Sequence, residues 1–428
     1  MSIQKELKDL IDNEIISEDI ADKIRKYYQN DTPRQKQRLL IIFSIIGAVL
    51  ISLGILLLIA HNWDNLSRIT KTILAFLPII IGQIACIYSF FKKDNHPIWT
   101  EGSGIFLSIS LGATMSLISQ IYNIPGSMGT FVFYWSILSI PIIYLMQSQI
   151  TAVFSLLLVV VFAVNSGYSN NTDLPSILTW PLFISIMPFY IHRIHRNNKG
   201  IFVHIFTWLF CLSLTIIMGI HGKSQEDLLF ITYFLMFQIF YLFGQNSPRE
   251  QNYTYQKTFS IAGMIGMNAV LLTLSFNRFW INIHEQNTVF SQLLASPEFI
   301  QLCIILILSI WIKAKIQKDR QNSKTDFYRY LDIPFIIIFI LGYFLPISVY
   351  LINILILGIG IFTIKEGLNK NSLSILNLGL FITSLLIIFR FFDADLSFVL
   401  KGILFILLGL SFFLANYLLI KKQSDDVA

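Results

Sequence analysis

The chain has 428 residues, of which 55% are hydrophobic and 13% charged, and its mean hydropathy is +0.66. A water-soluble protein of this length needs a far more charged surface, so the excess apolar area faces lipid and a soluble fold is excluded. The net charge of +6 does not indicate nucleic acid, because Lys and Arg cluster in short segments between apolar runs, as they do in cytoplasmic loops.

Residues 1–38 read as a short amphipathic helical module on the cytoplasmic face. Ile3, Leu7, Leu10 and Ile11 form one apolar stripe, and Ile20, Ile24, Tyr27 and Tyr28 form another at helical spacing. Between them Ser17 is placed to cap a helix, with Glu18 and Asp19 in the first turn where the helix dipole favours negative charge. The module is either a docking arm for a protein partner or a solvated helix pair that assists insertion. Its many charges do not suit a signal peptide, so the first apolar run is expected to remain as a membrane helix.

A membrane-crossing helix needs about 20 apolar residues. On that basis spans are predicted at Leu39–Ala60, Ile73–Phe91, Gly104–Gln120, Thr130–Met146, Ile150–Asn165, Ile177–His192 and Ile201–Ile220. They continue at Leu228–Phe243, Thr258–Phe276, Phe299–Ile316, Ile333–Leu345, Ser348–Ile364, Ser372–Phe392 and Ser397–Ile420. The fold class is therefore all-α and polytopic, an integral membrane protein with about 14 transmembrane helices. Around Pro346, Ile333–Ile364 is open to two readings: a hairpin, or one kinked helix with an interfacial piece. The spans group as an N-terminal four-helix block (39–146), middle helices (147–330), C-terminal helices (331–422) and a tail (423–428).

Charge tests the threading independently. With the N-terminus cytoplasmic, 25 of the 31 Lys and Arg fall in inside segments; the outside ones are Arg68, Lys71, Lys223, Arg278, Arg390 and Lys401. This positive-inside bias predicts an inner (cytoplasmic) membrane protein with both termini in the cytoplasm.

Within the third span, Gly104, Ser108, Gly112, Ser116 and Gln120 recur every fourth residue and share one helix face. The first span has a similar row in Ser44, Ala48 and Ser52. Such faces either let a neighbouring backbone approach closely, here the two spans packing on each other, or line a polar path.

The outer helix ends are more specific. His61, Asn62 and Asp64 close the first span, Gln120 and Tyr122 close the third, and Arg390, Asp393 and Lys401 flank the last turn of the chain in the membrane. As a substrate-binding set, Arg390 and Lys401 would neutralise an anionic group while His61 and Asp64 orient or protonate it. The alternative is local structure: Trp63 and Tyr122 as interfacial anchors, and Arg390 pairing with Asp393 at a helix end. Cys86, Cys211 and Cys303 lie inside apolar runs and read as small core residues. No HExxH, P-loop, G-x-S-x-G or paired-Cys motif occurs, so neither metal nor cofactor is expected. No Asp or Glu falls near the middle of a predicted span, whereas ion-driven carriers usually keep one there.

Asn13-Glu14-Ile15-Ile16-Ser17, Ile24-Arg25-Lys26-Tyr27-Tyr28, and Leu53-Gly54-Ile55 leading into Ala60-His61-Asn62-Trp63-Asp64 resemble the bacterial membrane proteins grouped as domain of unknown function 2157. Leu111-Gly112-Ala113, Ser119-Gln120-Ile121-Tyr122, Trp135 and Pro141 are similar to that family as well, so the resemblance covers the chain up to Met146. Arg390-Phe391-Phe392-Asp393 with Lys401-Gly402 is similar to its closing hairpin. Asn123 stands where that pattern has His. The resemblance implies a polytopic bacterial inner-membrane protein and supplies no reaction.

The leading expectation is a carrier or handler of a small anionic molecule or lipid head group, with an extracytoplasmic site. The alternatives are a scaffold or sensor acting through residues 1–38 and the basic segment Lys313–Arg329, and an intramembrane enzyme with Asp64 or Asp393 as general base. The expected surroundings are the lipid bilayer, with no nucleic acid.

Overall fold

The computed structural model describes residues 11, 17–21, 63–92, 97–169, 171–196, 200–220, 222, 226–245, 254–285, 296–319, 327–369 and 372–393, with scattered positions between 399 and 417. Among the described residues every regular element is helical. In lipid a backbone has no water to bond, and a helix satisfies its own N–H and C=O groups, so long apolar runs take this form.

Twelve helices of the described residues are long and apolar enough to cross a membrane, and each coincides with one of the predicted spans. Of the remaining two, Leu39–Ala60 lies outside the described residues, and Ser397–Ile420 is described only at scattered positions, helical at each. Residues 18–21 are helical and begin directly after Ser17, whose carbonyl accepts the Ala21 N–H at 3.0 Å. The rest of the N-terminal module is outside the described residues.

The chain forms two compact units, residues 1–77 and 78–428. In the first, a 3-10 turn at Trp63–Asn65 leads into helix α1 (Arg68–Lys92). Ser67 Oγ accepts the Thr70 N–H at 3.2 Å and so caps that helix. Lys71 Nζ lies 5.7 Å from the centre of the Trp63 ring. The unit boundary falls inside α1, at Pro78.

The second unit continues with α2 (Pro97–Tyr122), α3 (Met128–Met146), α4 (Gln149–Ala163), α5 (Thr179–Arg196), α6 (Ile201–Gly219) and α7 (Glu226–Gln245). It closes with α8 (Thr254–Leu274), the short α9 (Asn277–Glu285), α10 (Pro297–Asp319), α11 (Asp332–Phe344), α12 (Ser348–Asn369) and α13 (Leu373–Asp393). Beyond Ala163, α4 runs on through a π turn, Val164–Tyr168, in which the Ser169 N–H reaches back to the Val164 carbonyl at 3.0 Å.

Helix α4 packs on α2, α3, α5 and α6. Its Leu156, Val159 and Phe162 meet Val132, Ile143, Ile186 and Phe206 in one apolar core. A second core gathers Phe234, Leu271, Trp280, Phe335, Phe339 and Ile356 from α7–α9, α11 and α12, with the Phe234 and Phe335 rings stacked at 4.0 Å. Cys211, Met236, Phe240 and Phe259 join α6 to α7 and α8. Cys86 and Cys211 are buried, as small core residues should be.

Backbones approach closely where glycine permits. A Cβ on Gly263 would lie 2.5 Å from the Phe237 carbonyl oxygen, and one on Gly379 would lie 2.7 Å from the Ile364 nitrogen. These contacts seat α8 on α7 and α13 on α12, the small-residue packing that helices use in lipid. Around Pro346 the chain forms two helices: α11 ends as Leu345 turns extended, and Ser348 Oγ donates back to the Ile338 carbonyl at 3.0 Å.

Candidate functional site

One end of the α2–α6 group carries a cavity. Gln147 takes the left-handed conformation (φ 50°), which reverses the chain between α3 and α4, and Ser148 then caps α4 by accepting the Thr151 N–H at 3.1 Å. Glu101, from the first turns of α2, adds its carboxylate to the same helix start. It accepts the Ser148 hydroxyl at 2.6 Å and the Gln149 and Ile150 N–H groups at 2.9 Å each. Here a carboxylate satisfies helix N–H donors and the positive end of the helix dipole.

Arg193, near the end of α5, donates to the Gln147 carbonyl at 2.5 Å, and its guanidinium lies 5.3 Å from the Phe189 ring centre. Tyr144 Oη donates to the Ser185 carbonyl, tying α3 to α5 beside it. These helix ends enclose a cavity of about 550 Å³ whose polar wall includes Thr100, Glu101, Gln149, Arg193 and Arg196. Phe90, Met146 and Phe202 form part of its apolar wall.

The charges in this cavity are unevenly matched. Among the described residues neither Arg193 nor Arg196 makes an ion pair, and Glu101, the acid in the wall, is committed to the start of α4. Guanidinium groups pair with carboxylate and phosphate oxygens through two parallel bonds, so an arrangement of this kind can take an anion.

Of the residues predicted from sequence, Gln120, Tyr122 and Arg390 are described, and none of them lines this cavity. Gln120 is exposed at the end of α2, beside Tyr122, which is 51% exposed. Arg390, on α13, donates to Ser275 Oγ at 3.2 Å and lies 5.0 Å from the Phe276 ring centre. Asn353 of α12 meets the same turn, donating to the Ser275 carbonyl at 3.3 Å. Asp64 and Asp393 have helical backbones, and their side chains are outside the described residues, as are His61, Asn62 and Lys401.

The small-residue face of α2 serves packing over part of its length. Gly104, Ser108 and Gly112 are buried, whereas Ser116 and Gln120 are exposed. A Cβ on Gly112 would lie 2.2 Å from the Trp135 ring, and Trp135 Nε1 donates to the Ser108 carbonyl at 2.7 Å. Gly104 faces Ser148 and Thr151. The neighbours of this stretch are thus α3 and α4, and the row in the first span lies outside the described residues.

A second polar cluster sits where α7, α10 and α11 meet. Lys313 Nζ and Asp332 Oδ2 are 2.5 Å apart, and the fully buried Gln238 donates to Asp332 Oδ1 at 2.8 Å and to the Arg329 carbonyl at 3.0 Å. The ends of the basic segment Lys313–Arg329 are thereby tied into the helix packing.

Sequence reading missed Glu101, Ser148, Gln149, Arg193 and Arg196 as a group. Arg193 and Arg196 counted only as inside charges, although their three-residue spacing puts both on one helix face. Glu101, an acid at the start of an otherwise apolar span, was the other available signal.

The fold is that of an all-helical, multi-pass membrane protein. The family model described as "Predicted membrane protein (DUF2157)" matches residues 8–152. That stretch includes Glu101, Ser148 and the packed pair Gly112 and Trp135, while Arg193 and Arg196 come from beyond it. No curated protein and no solved structure matches the chain.

Proposed function

We propose that the protein is a carrier or handler of a small anionic or lipid-linked substrate within the membrane. The supporting observation is the cavity at the ends of α2–α6, where two arginines without ion pairs among the described residues face a single acid already bonded to a helix start. The charge bias of the sequence assigns this end to the cytoplasm. The outer helix ends, with His61, Asn62, Asp64, Gln120, Tyr122, Arg390, Asp393 and Lys401, are the second place where this reading has the substrate met.

The test is ligand-dependent stabilisation of the full chain in a non-ionic detergent, read as a rise in melting temperature. Phosphate, sulfate, succinate and short-chain anionic lipid form the panel. Stabilisation of the wild type by an anion, reduced in Arg196→Ala, supports the proposal. A wild type indifferent to every anion overturns it.

A further inference from the structure

We infer that the cavity between α2 and α6 is a seat for a phosphate group, with Arg193, Arg196 and the N-terminus of α6 as its donors. This rests on the anion-handling reading above and names the chemistry that the site takes. Three helices begin at this cavity, α2 at Pro97, α4 and α6, and the starts of the last two are served differently. The first N–H groups of α4 are met from within the protein by Glu101 and Ser148. Helix α6 opens at Gly200, which has no side chain to cap it, and the N–H groups of Ile201, Phe202 and Val203 have no acceptor among the described residues. Gly200, Phe202 and Val203 all line the cavity.

A 19-residue helix presents the positive end of its dipole at such a start, and the N–H groups there suit a phosphate. Arg193 and Arg196 add two guanidinium groups one helical turn apart, each shaped to hold two oxygens. One carboxylate, with a single charge and two oxygens, leaves much of this donor set unused. A phosphate monoester carries three terminal oxygens and a charge of about −1.5 to −2 at neutral pH, and it matches the set more fully. The apolar wall of Phe90, Met146 and Phe202 leaves room beside the phosphate for a hydrocarbon substituent.

The phosphate source, a lipid head group or a soluble phosphate, is separated by experiment. Full-length protein in dodecyl maltoside, which carries no phosphate, is titrated with dihexanoyl phosphatidic acid, with inorganic phosphate and with succinate. Arg196 is exposed and makes no side-chain bond among the described residues, so Arg196→Ala leaves the fold intact. Binding of phosphatidic acid that weakens about tenfold or more in Arg196→Ala, the scale of one lost charge-assisted bond, and recovers in part in Arg196→Lys is the expected result. If inorganic phosphate behaves likewise, the phosphate group alone is recognised; if it does not bind, the ligand is the lipid. Phosphate binding that is equal in wild type and Arg196→Ala overturns the seat. Succinate binding without phosphate binding overturns the phosphate chemistry and leaves the anion reading standing, and a protein that binds none of the three overturns both.

Discussion

Glu101 and Ser148 are 47 residues apart in sequence, yet the Glu101 carboxylate accepts the Ser148 hydroxyl at 2.6 Å. Together they hold the start of α4, the helix on which α2, α3, α5 and α6 all pack. Replacing Glu101 with Ala leaves the Gln149 and Ile150 N–H groups without their acceptor. The expected cost is about 1.5–3 kcal/mol, the range for hydrogen bonds to a charged group. Unfolding of the purified protein by sodium dodecyl sulfate measures it, and an unchanged midpoint would show that water or lipid replaces the carboxylate at no cost.

Gly112→Val is expected to destabilise through overpacking, because a Cβ there would stand 2.2 Å from the Trp135 ring. Displacing that ring also stretches the Trp135 bond to Ser108, for a loss of about 1–3 kcal/mol. Gly102→Ala is the control, since a Cβ there meets nothing within 4 Å. The same unfolding assay should separate the two variants.

The Lys313–Asp332 pair is largely shielded from solvent, with side-chain exposures of 18% and 12%. Lys313→Ala removes one partner and leaves the carboxylate with Gln238, at an expected cost of a few kcal/mol. Replacing both ionic groups together, as Lys313→Met with Asp332→Leu, is expected to cost less than Lys313→Ala alone. Melting temperatures of the two variants decide this, and a double variant less stable than the single one contradicts it.

The threading has a direct test at two glycines with open surroundings, Gly102 at the start of α2 and Gly126 in the loop after it. In intact cells a membrane-impermeant maleimide is expected to label Gly126→Cys and to spare Gly102→Cys. The reverse pattern would turn the whole bundle over and place the arginine cavity outside.

Helix positions were legible because each span is a long apolar run that lipid allows to fold only one way. Even the stretch around Pro346, open to two readings, separates into α11 and α12, since proline ends one helix and the next begins at Ser348. The cavity was not legible. Glu101, Ser148, Arg193 and Gly200 lie in four separate segments, and only the packing of α2, α4, α5 and α6 brings them together. The same holds for Asp332, which reads as an ordinary loop acid until Gln238 of α7 and Lys313 of α10 are placed beside it. Helix-end chemistry between distant segments leaves no periodic trace in a sequence.

The π turn at Val164–Tyr168 has a bearing on how this chain is compared with others. Such a turn holds one residue more than an α turn, so Tyr168 at its end points about 100° away from where the phase of α4 would put it. An alignment that carries the phase of α4 through this point misplaces Tyr168, whose hydroxyl donates to the Ile216 carbonyl of α6 at 3.0 Å. A relative one residue shorter between Val164 and Tyr168 would bring that tyrosine to the same place with an ordinary helical turn, and that length difference would be the mark of where the bulge entered.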